Sequence, residues 1–156
     1  MLVPYKEIDD NSRVWIYQSD RIISNQERPV IENHLTNLCV NWNTHGEPVH
    51  SSYILNDWFI CLFVDESKNN ASGCSIDSSV ATIKTIEQQF GIDFFNRFNI
   101  AFVDDGKTKV LPLPKFKSEI NENLMVFNNL VKTKVELESS WVVSIKDSWL
   151  AKYLDQ

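Results

Sequence analysis

The segment Trp58–Val64, with the sequence WFICLFV, consists of seven apolar residues in a row. A strand with one face in water would alternate apolar and polar side chains. This run therefore predicts a central strand that is covered on both faces, or one flanked by aromatic residues. Asn56-Asp57 ahead of the run is typical of a tight turn, and Asp65-Glu66 ends it. The fold then depends on the elements on either side of this strand.

Upstream of the run, the sequence predicts a strand, a helix and a second strand. Arg13–Gln18 is rich in β-branched and aromatic residues, as strands are. Ser24 and Glu27 form a capping-box pattern, but Pro29 removes a helical hydrogen bond, so the helix starts near Pro29 or has an irregular first turn. Residues 49–55 predict a moderate strand. Apolar residues at helical spacing form one stripe of the helix: Ile31, Leu35, Leu38 and Trp42.

Downstream, a second helix and a hairpin are predicted. Gly91 stands where a left-handed helix cap is usual. Asn99–Val103 is predicted to be a strand, Asp105-Gly106 is a strong hairpin signal, and Thr108–Leu113 is the returning strand. The apolar stripe of the second helix is Ile76, Val80, Ile83, Ile86 and Phe90.

The C-terminal part adds a short helix near 115–119, a strand near 125–131 and a terminal helix from Asp147 or Ser148, with Trp149 on one face. The resulting order predicts an α+β fold in one domain, residues 1–156. We expect a single sandwich of a mixed or antiparallel sheet with helices packed on it. The order also matches a ferredoxin-like split βαβ unit with C-terminal additions, in which the strands ending at Val64 and Val103 would run parallel.

Composition excludes several classes of protein. The net charge of −6 argues against broad nucleic-acid binding. No apolar run is long enough for a membrane-spanning helix, and MLVPYKEIDD lacks the features of a secretory signal. An odd cysteine count with wide spacing fits reduced thiols, and hence a cytoplasmic protein: Cys39, Cys61 and Cys74.

Five segments together resemble a family of small bacterial proteins of unknown activity that are often labelled "ABC transporter ATPase". They span most of the chain, from about residue 4 to 154: RVWIYQSDR, WNTHG, FVDESKNNASGCSIDSSVATIKTIEQQFGIDFFNRFNIAF, VFNNLV and KDSW. The resemblance implies a shared fold but no known catalytic residues. The ATPase label itself does not fit this chain. An ATPase of that type needs G-x-x-x-x-G-K-[ST] to hold phosphates, and none of the four glycines lies in such a pattern.

Residues 71–80, with the sequence ASGCSIDSSV, join the apolar run to the second helix and hold most candidate site residues. A helix N-terminus presents unpaired amides and a partial positive charge, so this junction could bind a small anion. The candidate ligand-binding residues are Gly73, Ser75, Ser78 and Asp65.

The same junction holds a candidate nucleophile, Cys74, because thiols at helix N-termini have lowered pKa values and form thiolates. His45 is the candidate base, and Asp77 completes the candidate catalytic set. A structural interpretation is favoured over both site hypotheses. In it, Ser75 or Asp77 caps the helix, Ser79 faces the core, and Cys74 packs as a small apolar residue.

A metal site is not predicted, and neither is a cofactor. His45, Glu47 and His50 do not have H-E-x-x-H spacing, and strand alternation would point His50 to the opposite face. Asp65 and Asp104 would share one sheet edge if their strands run parallel, and could then gather a divalent ion. Solvated acids that simply end the two strands are the favoured interpretation.

Partners remain the main open question. Arg13, Trp15 and Tyr17 lie on one face of the first strand, where aromatic rings could stack on bases. The aromatic-basic pattern of RNA-binding sheets is absent, however, so nucleic-acid binding is disfavoured. Five Trp and nine Phe favour a protein surface, with Asn96-Arg97-Phe98 and Trp141-Val142-Val143 as candidate edges. A homodimer and a small anionic ligand both stay open. We expect a non-enzymatic binding or interaction module, with a small-molecule enzyme or anion-binding protein at residues 71–79 as the alternative.

Overall fold

The computed structural model describes residues 1–67 and 73–155, and the side chains of all of these except 73–75. Its helices and strands, in chain order, are β1 (Arg13–Gln18), α1 (Arg28–Val40), β2 (Asn43–Thr44), β3 (Glu47–Pro48), β4 (Ser51–Leu55), β5 (Phe59–Val64), α2 (Gly73–Phe90), β6 (Asn99–Asp104), β7 (Lys107–Pro112), α3 (Leu113–Glu119), β8 (Met125–Phe127), α4 (Lys134–Ser140) and β9 (Val142–Ser144). Two 3-10 helices follow, Ile145–Asp147 and Trp149–Tyr153.

In this part of the chain, the longer strands form two antiparallel sheets. Sheet I has the order β1-β5-β4, and sheet II has the order β7-β6-β8-β9. The short strands β2 and β3 form a separate hairpin. The α+β class predicted from the sequence is confirmed, with antiparallel pairing throughout both sheets.

Three apolar clusters hold these sheets and helices in four layers. The first joins α1 and α2 to sheet I, the second lies between the two sheets, and the third joins sheet II to α3 and the C-terminal 3-10 helix. The predicted central strand, β5, is buried along its whole length. Its residues alternate between the two sides: Ile60, Leu62 and Val64 face the helices, whereas Phe59, Cys61 and Phe63 face sheet II.

The ferredoxin-like arrangement is not found. It would place β5 and β6 in one sheet, but β5 pairs with β1 and β4, and β6 pairs with β7 and β8 in the other sheet. Because both edges of β5 are occupied, β6 meets sheet I face to face through the second cluster. The predicted parallel relation between the strands ending at Val64 and Val103 is therefore wrong.

Local signals at turns and caps are confirmed. Asp105 and Gly106 have φ values of 52° and 76°, as the two-residue β6–β7 turn requires. His45-Gly46 makes the same kind of turn between β2 and β3, with φ values of 52° and 81°. Gly91 ends α2 with a positive φ. The predicted polar loop at His45 is thus an ordered hairpin.

The C-terminal third departs most from expectation. The predicted strand near 125–131 ends at Phe127, and α4 and β9 were not predicted as elements. The terminal helix is a 3-10 helix, begun by Ser148, whose hydroxyl accepts from the Leu150 amide at 3.1 Å. These elements are short, so periodicity gives them little signal.

The capping box at the start of α1 carries a partly exposed ion pair. Glu27 accepts from the Ser24 amide at 2.9 Å, and its own amide donates to the Ser24 hydroxyl at 3.2 Å. Pro29 lies in the first turn, as predicted. The Arg21 guanidinium donates to both Glu27 oxygens, at 2.8 and 2.7 Å, and to the Phe90 carbonyl at the end of α2. The Arg21 hydrogen bonds lower the pKa of Glu27 to about 2.

Acid should therefore weaken the fold through Glu27. The stabilisation is complete above the unfolded-state pKa near 4.5 and is lost as the pH falls towards 2, because the unfolded chain then binds the proton first. Arg21 is 40% exposed, so we expect a contribution of about 1–2 kcal/mol after solvent screening. Urea unfolding of Glu27→Gln between neutral pH and pH ~3 should show a shallower acid limb than wild type, that is, a smaller fall in the free energy of unfolding as the pH is lowered. Glu32→Gln, an exposed change in the same helix, should leave that limb unchanged; an unchanged limb in Glu27→Gln would contradict the assignment.

Candidate functional site

The residues predicted as a site do not come together in the described part of the chain. His45 is exposed in the β2–β3 turn, and Asp77 and Ser78 are exposed on α2. Asp65 follows β5; its amide donates to the His50 carbonyl at 2.9 Å, and its carboxylate accepts from the Ser67 amide. Within residues 1–67 and 73–155, no hydrogen bond or ion pair joins His45, Asp65 and Asp77.

The helix of the predicted anion site begins earlier than expected. Gly73, Cys74 and Ser75 lie in the first turn of α2, so Ser75 and Asp77 are inside the helix and neither is its N-cap. The prediction of a cap at Ser75 or Asp77 relied on the apolar stripe, which starts only at Ile76. The helix starts earlier because backbone hydrogen bonds, and not apolar side chains, define its first turn. Residues 71–72 and the side chains of 73–75 lie outside the described residues, so the Cys74 and anion hypotheses stay predictions. Ser79 is buried, as predicted.

The acidic residues and histidines do not form a metal centre among the described residues. Asp65 and Asp104 follow strands of different sheets, and Asp104 pairs with Lys109 at 3.1 Å. No group of three or more His, Cys, Asp or Glu side chains in residues 1–67 and 76–155 is placed to hold a metal ion.

Two of the three thiols are buried in the core, so the reactivity of the third can be measured separately. Cys39 and Cys61 are both fully buried; burial raises the pKa of Cys39 to about 11 and that of Cys61 further still. We expect Cys74→Ser to show no fast reaction with a disulfide reagent at neutral pH, and two reactive thiols once unfolded in guanidinium. Any fast thiol in the native wild type then belongs to Cys74. A fast thiol in native Cys74→Ser would contradict the burial of the other two.

A well-formed cleft lies elsewhere, beside the second half of β1. This cleft encloses about 690 Å³ and is lined by four separate parts of the chain. They are the end of β1, residues 94–101 before and within β6, residues 126–130 of β8 and the connection after it, and residues 143–150 from β9 to the C-terminal 3-10 helix. Its walls are mainly apolar, formed by Ile16, Phe95, Ile100, Phe127, Leu130 and Trp149. A volume of this size is typical of ligand sites.

A chain of amide hydrogen bonds fixes one side of the cleft. Gln18 donates to the Asn99 carbonyl, and Asn129 donates to the Gln18 side-chain oxygen, both at 2.9 Å. The Trp141 indole donates to the Asn129 oxygen, also at 2.9 Å. These bonds tie the edge of sheet I to β6 and to the β8–α4 connection. Because its polar side chains are paired with each other, the cleft is preorganised.

The rim of the cleft exposes large apolar side chains. Leu130 is 82% exposed, Trp149 55% and Phe95 40%. Phe95 lies edge-on to Tyr17, with ring centroids 5.7 Å apart, and so continues the aromatic wall into the protein. Arg97 and Asp147 are the charged residues of the lining and offset each other. The site is therefore suited to an uncharged, apolar group.

The sequence pattern indicated part of this region. It marked Asn96-Arg97-Phe98 and Trp141-Val142-Val143 as partner surfaces, and Asn96, Arg97 and Val143 line the cleft. It missed Asn129, Leu130 and Trp149. The available signal was the pair Asn128-Asn129, typical of a turn, followed by the isolated Leu130. Only the fold brings this segment next to β1.

None of the described helices is long and apolar enough to span a membrane. No protein-family model matches this sequence, and neither a curated protein nor a solved structure matches the chain.

Proposed function

We propose that this protein is a non-enzymatic binding module and that the cleft beside β1 is its binding site. The observation that carries the proposal is the rim of exposed apolar side chains around a preformed cavity, above all Leu130 and Trp149. Apolar surface gains about 25 cal/mol per Å² when it leaves water, so an occupant that covers these side chains would be stabilised. Concentrated exposed apolar surface commonly marks an interaction site.

The chemistry of the lining supports binding more than catalysis. Its polar side chains are largely carboxamides, contributed by Gln18, Asn96, Asn99, Asn128 and Asn129. Carboxamides donate and accept hydrogen bonds but do not exchange protons at neutral pH, so they orient a ligand rather than transform it. The Arg97 and Asp147 charges offset each other across the same lining.

The proposal is tested by ¹⁹F NMR of protein labelled with 5-fluorotryptophan, with each signal assigned through a Trp→Phe variant. Acetyl-leucine amide and acetyl-phenylalanine amide at millimolar concentration should shift the Trp149 signal and leave that of Trp42, which is buried in the core, unchanged. Acetyl-aspartate amide should have no effect, because the lining offers it no net positive charge. Weak affinity is expected for molecules of this size.

A matched pair of variants locates the binding. Leu130→Asp puts a charge on the rim, and Val135→Asp puts the same charge on an exposed residue of α4 that does not line the cleft. We expect the first variant to lose the Trp149 response and the second to keep it. If no apolar probe of any length moves the Trp149 signal, or if Leu130→Asp responds as wild type does, the cleft is not a binding site.

A further inference from the structure

We infer that the occupant of the cleft is an extended, uncharged peptide segment of a partner protein, which adds to the open half of β1 as a further strand. This inference rests on the proposed function of the cleft as a binding site. It adds the chemical class of the occupant and the backbone atoms that recognise it.

The backbone of β1 directs the N–H and C=O groups of alternate residues away from β5. The Ser19 amide donates to the Trp58 carbonyl at 2.8 Å, towards the β5 side, whereas the Val14 amide donates to the Lys132 carbonyl at 2.9 Å, on the opposite side. Hydrogen-bonding direction alternates along an antiparallel strand. Ile16 therefore points its N–H and C=O away from β5 and towards the cleft, which it lines. Among the residues that the structure describes, neither of these groups has a hydrogen-bond partner.

The edges of β4 and β7 and the first half of β1 are covered or carry charged side chains. The edge of β4 is covered by the N-terminal segment, since the Val3 amide donates to the Ser51 carbonyl at 2.9 Å. The first half of β1 is covered by residues 132–134, through the Val14 bond and a Lys134 bond to the Ser12 carbonyl. The edge of β7 carries exposed Lys107 and Lys109, a common protection against strand pairing. The stretch around Ile16 instead faces an apolar cleft.

A peptide suits this stretch of β1 better than a small apolar molecule does. An apolar molecule in the cleft would bury the Ile16 N–H and C=O without partners, which is unfavourable because each group loses its hydrogen bonds to water. A peptide strand supplies a donor and an acceptor at the strand spacing and removes this cost. Its side chains would alternate between the Tyr17–Phe95 wall on one face and the Phe127 wall on the other. Both walls are apolar, so uncharged side chains suit both faces.

The test uses acetylated peptide amides in which threonine alternates with valine, leucine or phenylalanine, with the Trp149 ¹⁹F signal as readout. We expect binding, together with slower hydrogen exchange of the Ile16 amide. N-methylation at alternate peptide positions should weaken binding about tenfold or more, and at the intervening positions much less, because only one set of amides faces β1. Charged peptides of the same length serve as controls.

Two variants separate backbone pairing from side-chain contact. Ile16→Pro removes the outward N–H without removing a bond to β5, and Ile16→Val keeps that N–H. We expect Ile16→Pro to bind the peptides at least about tenfold more weakly than Ile16→Val, the loss of one hydrogen bond. If Ile16→Pro does not fold, the methylation scan and the exchange of Ile16 in wild type still decide.

The outcomes are distinguishable. If peptides move the Trp149 signal but N-methylation weakens binding equally at all positions, strand addition is overturned and the cleft remains a binding site. Binding of acetyl-phenylalanine amide without binding of any peptide would also overturn strand addition alone. A dimer in light scattering, with the Ile16 amide protected in the absence of peptide, would make a second copy of this chain the occupant and overturn the inference. No response to any probe would overturn the proposed function itself.

Discussion

Replacing Phe59 by alanine is expected to lower the free energy of unfolding by about 3–5 kcal/mol. The Phe59 side chain is 1% exposed and projects from the central strand of sheet I. Its ring centroid lies 4.8 Å from those of both Phe127 and Trp141, which belong to the sheet II side. The change removes a large apolar group and leaves a cavity between the two sheets. Domains of ordinary stability have a free energy of unfolding of about 5–15 kcal/mol, so this loss is a large share of the total.

Urea unfolding followed by circular dichroism measures the effect. Phe98→Ala is the matched control, because that ring is 72% exposed and should change stability by no more than about 0.5 kcal/mol. Similar midpoints for the two variants would show that Phe59 does not join the sheets as described.

Replacing Lys134 by methionine should lower the free energy of unfolding by about 2–4 kcal/mol, although methionine keeps an unbranched apolar side chain of similar length. Lys134 is 4% exposed, and its ammonium donates to the Tyr5 carbonyl at 2.8 Å and the Ile8 carbonyl at 2.9 Å. It also lies 4.6 Å from the centre of the Tyr5 ring and 3.7 Å from an Asp10 oxygen. Methionine fills much of the same space but leaves both carbonyls without their donor.

The matched control is Lys132→Met, two residues earlier and exposed. We expect it to unfold at nearly the wild-type urea concentration. If Lys134→Met were as stable as Lys132→Met, the buried ammonium would contribute nothing to holding the N-terminal segment against α4.

Much of the local structure could be predicted because its cause is local. The seven-residue apolar run gave a strand buried on both faces, and the Asp105-Gly106 pair gave the turn between β6 and β7. The Ser24–Glu27 capping box formed as its spacing implies. In each case a few adjacent residues contain both the signal and the groups that satisfy it.

Strand pairing could not be predicted in the same way. The apolar pattern of β6 shows that both of its faces are covered, but not whether β5 lies beside it or across from it. Hydrogen bonding along an edge and apolar packing across a face both bury such a strand. The occupied edges of β5 decide between them, and that depends on segments more than forty residues apart, as in the pairing of β1 with β5.

The candidate site illustrates the same limit more strongly. Phe94 and Phe95 are chemically identical neighbours, yet the first is 5% exposed and the second 40%. Leu130 and Trp149 carry no motif, and they form a rim only because the β8–α4 connection and the C-terminal 3-10 helix meet beside β1. The sequence directed attention instead to residues 71–79, where several reactive side chains are neighbours in the chain.

The sequence by itself determined the elements whose signals are periodic or local: the buried central strand, the apolar stripes of α1 and α2, and the glycine turns. The tertiary structure alone decided that the longer strands divide into two sheets in four layers, and that one stretch of β1 faces an apolar cleft. The physical reason is that periodicity specifies which side of an element avoids water, whereas the identity of the covering group depends on long-range packing. A cleft is the place where that covering is incomplete, so it becomes visible only when all the surrounding elements are in place.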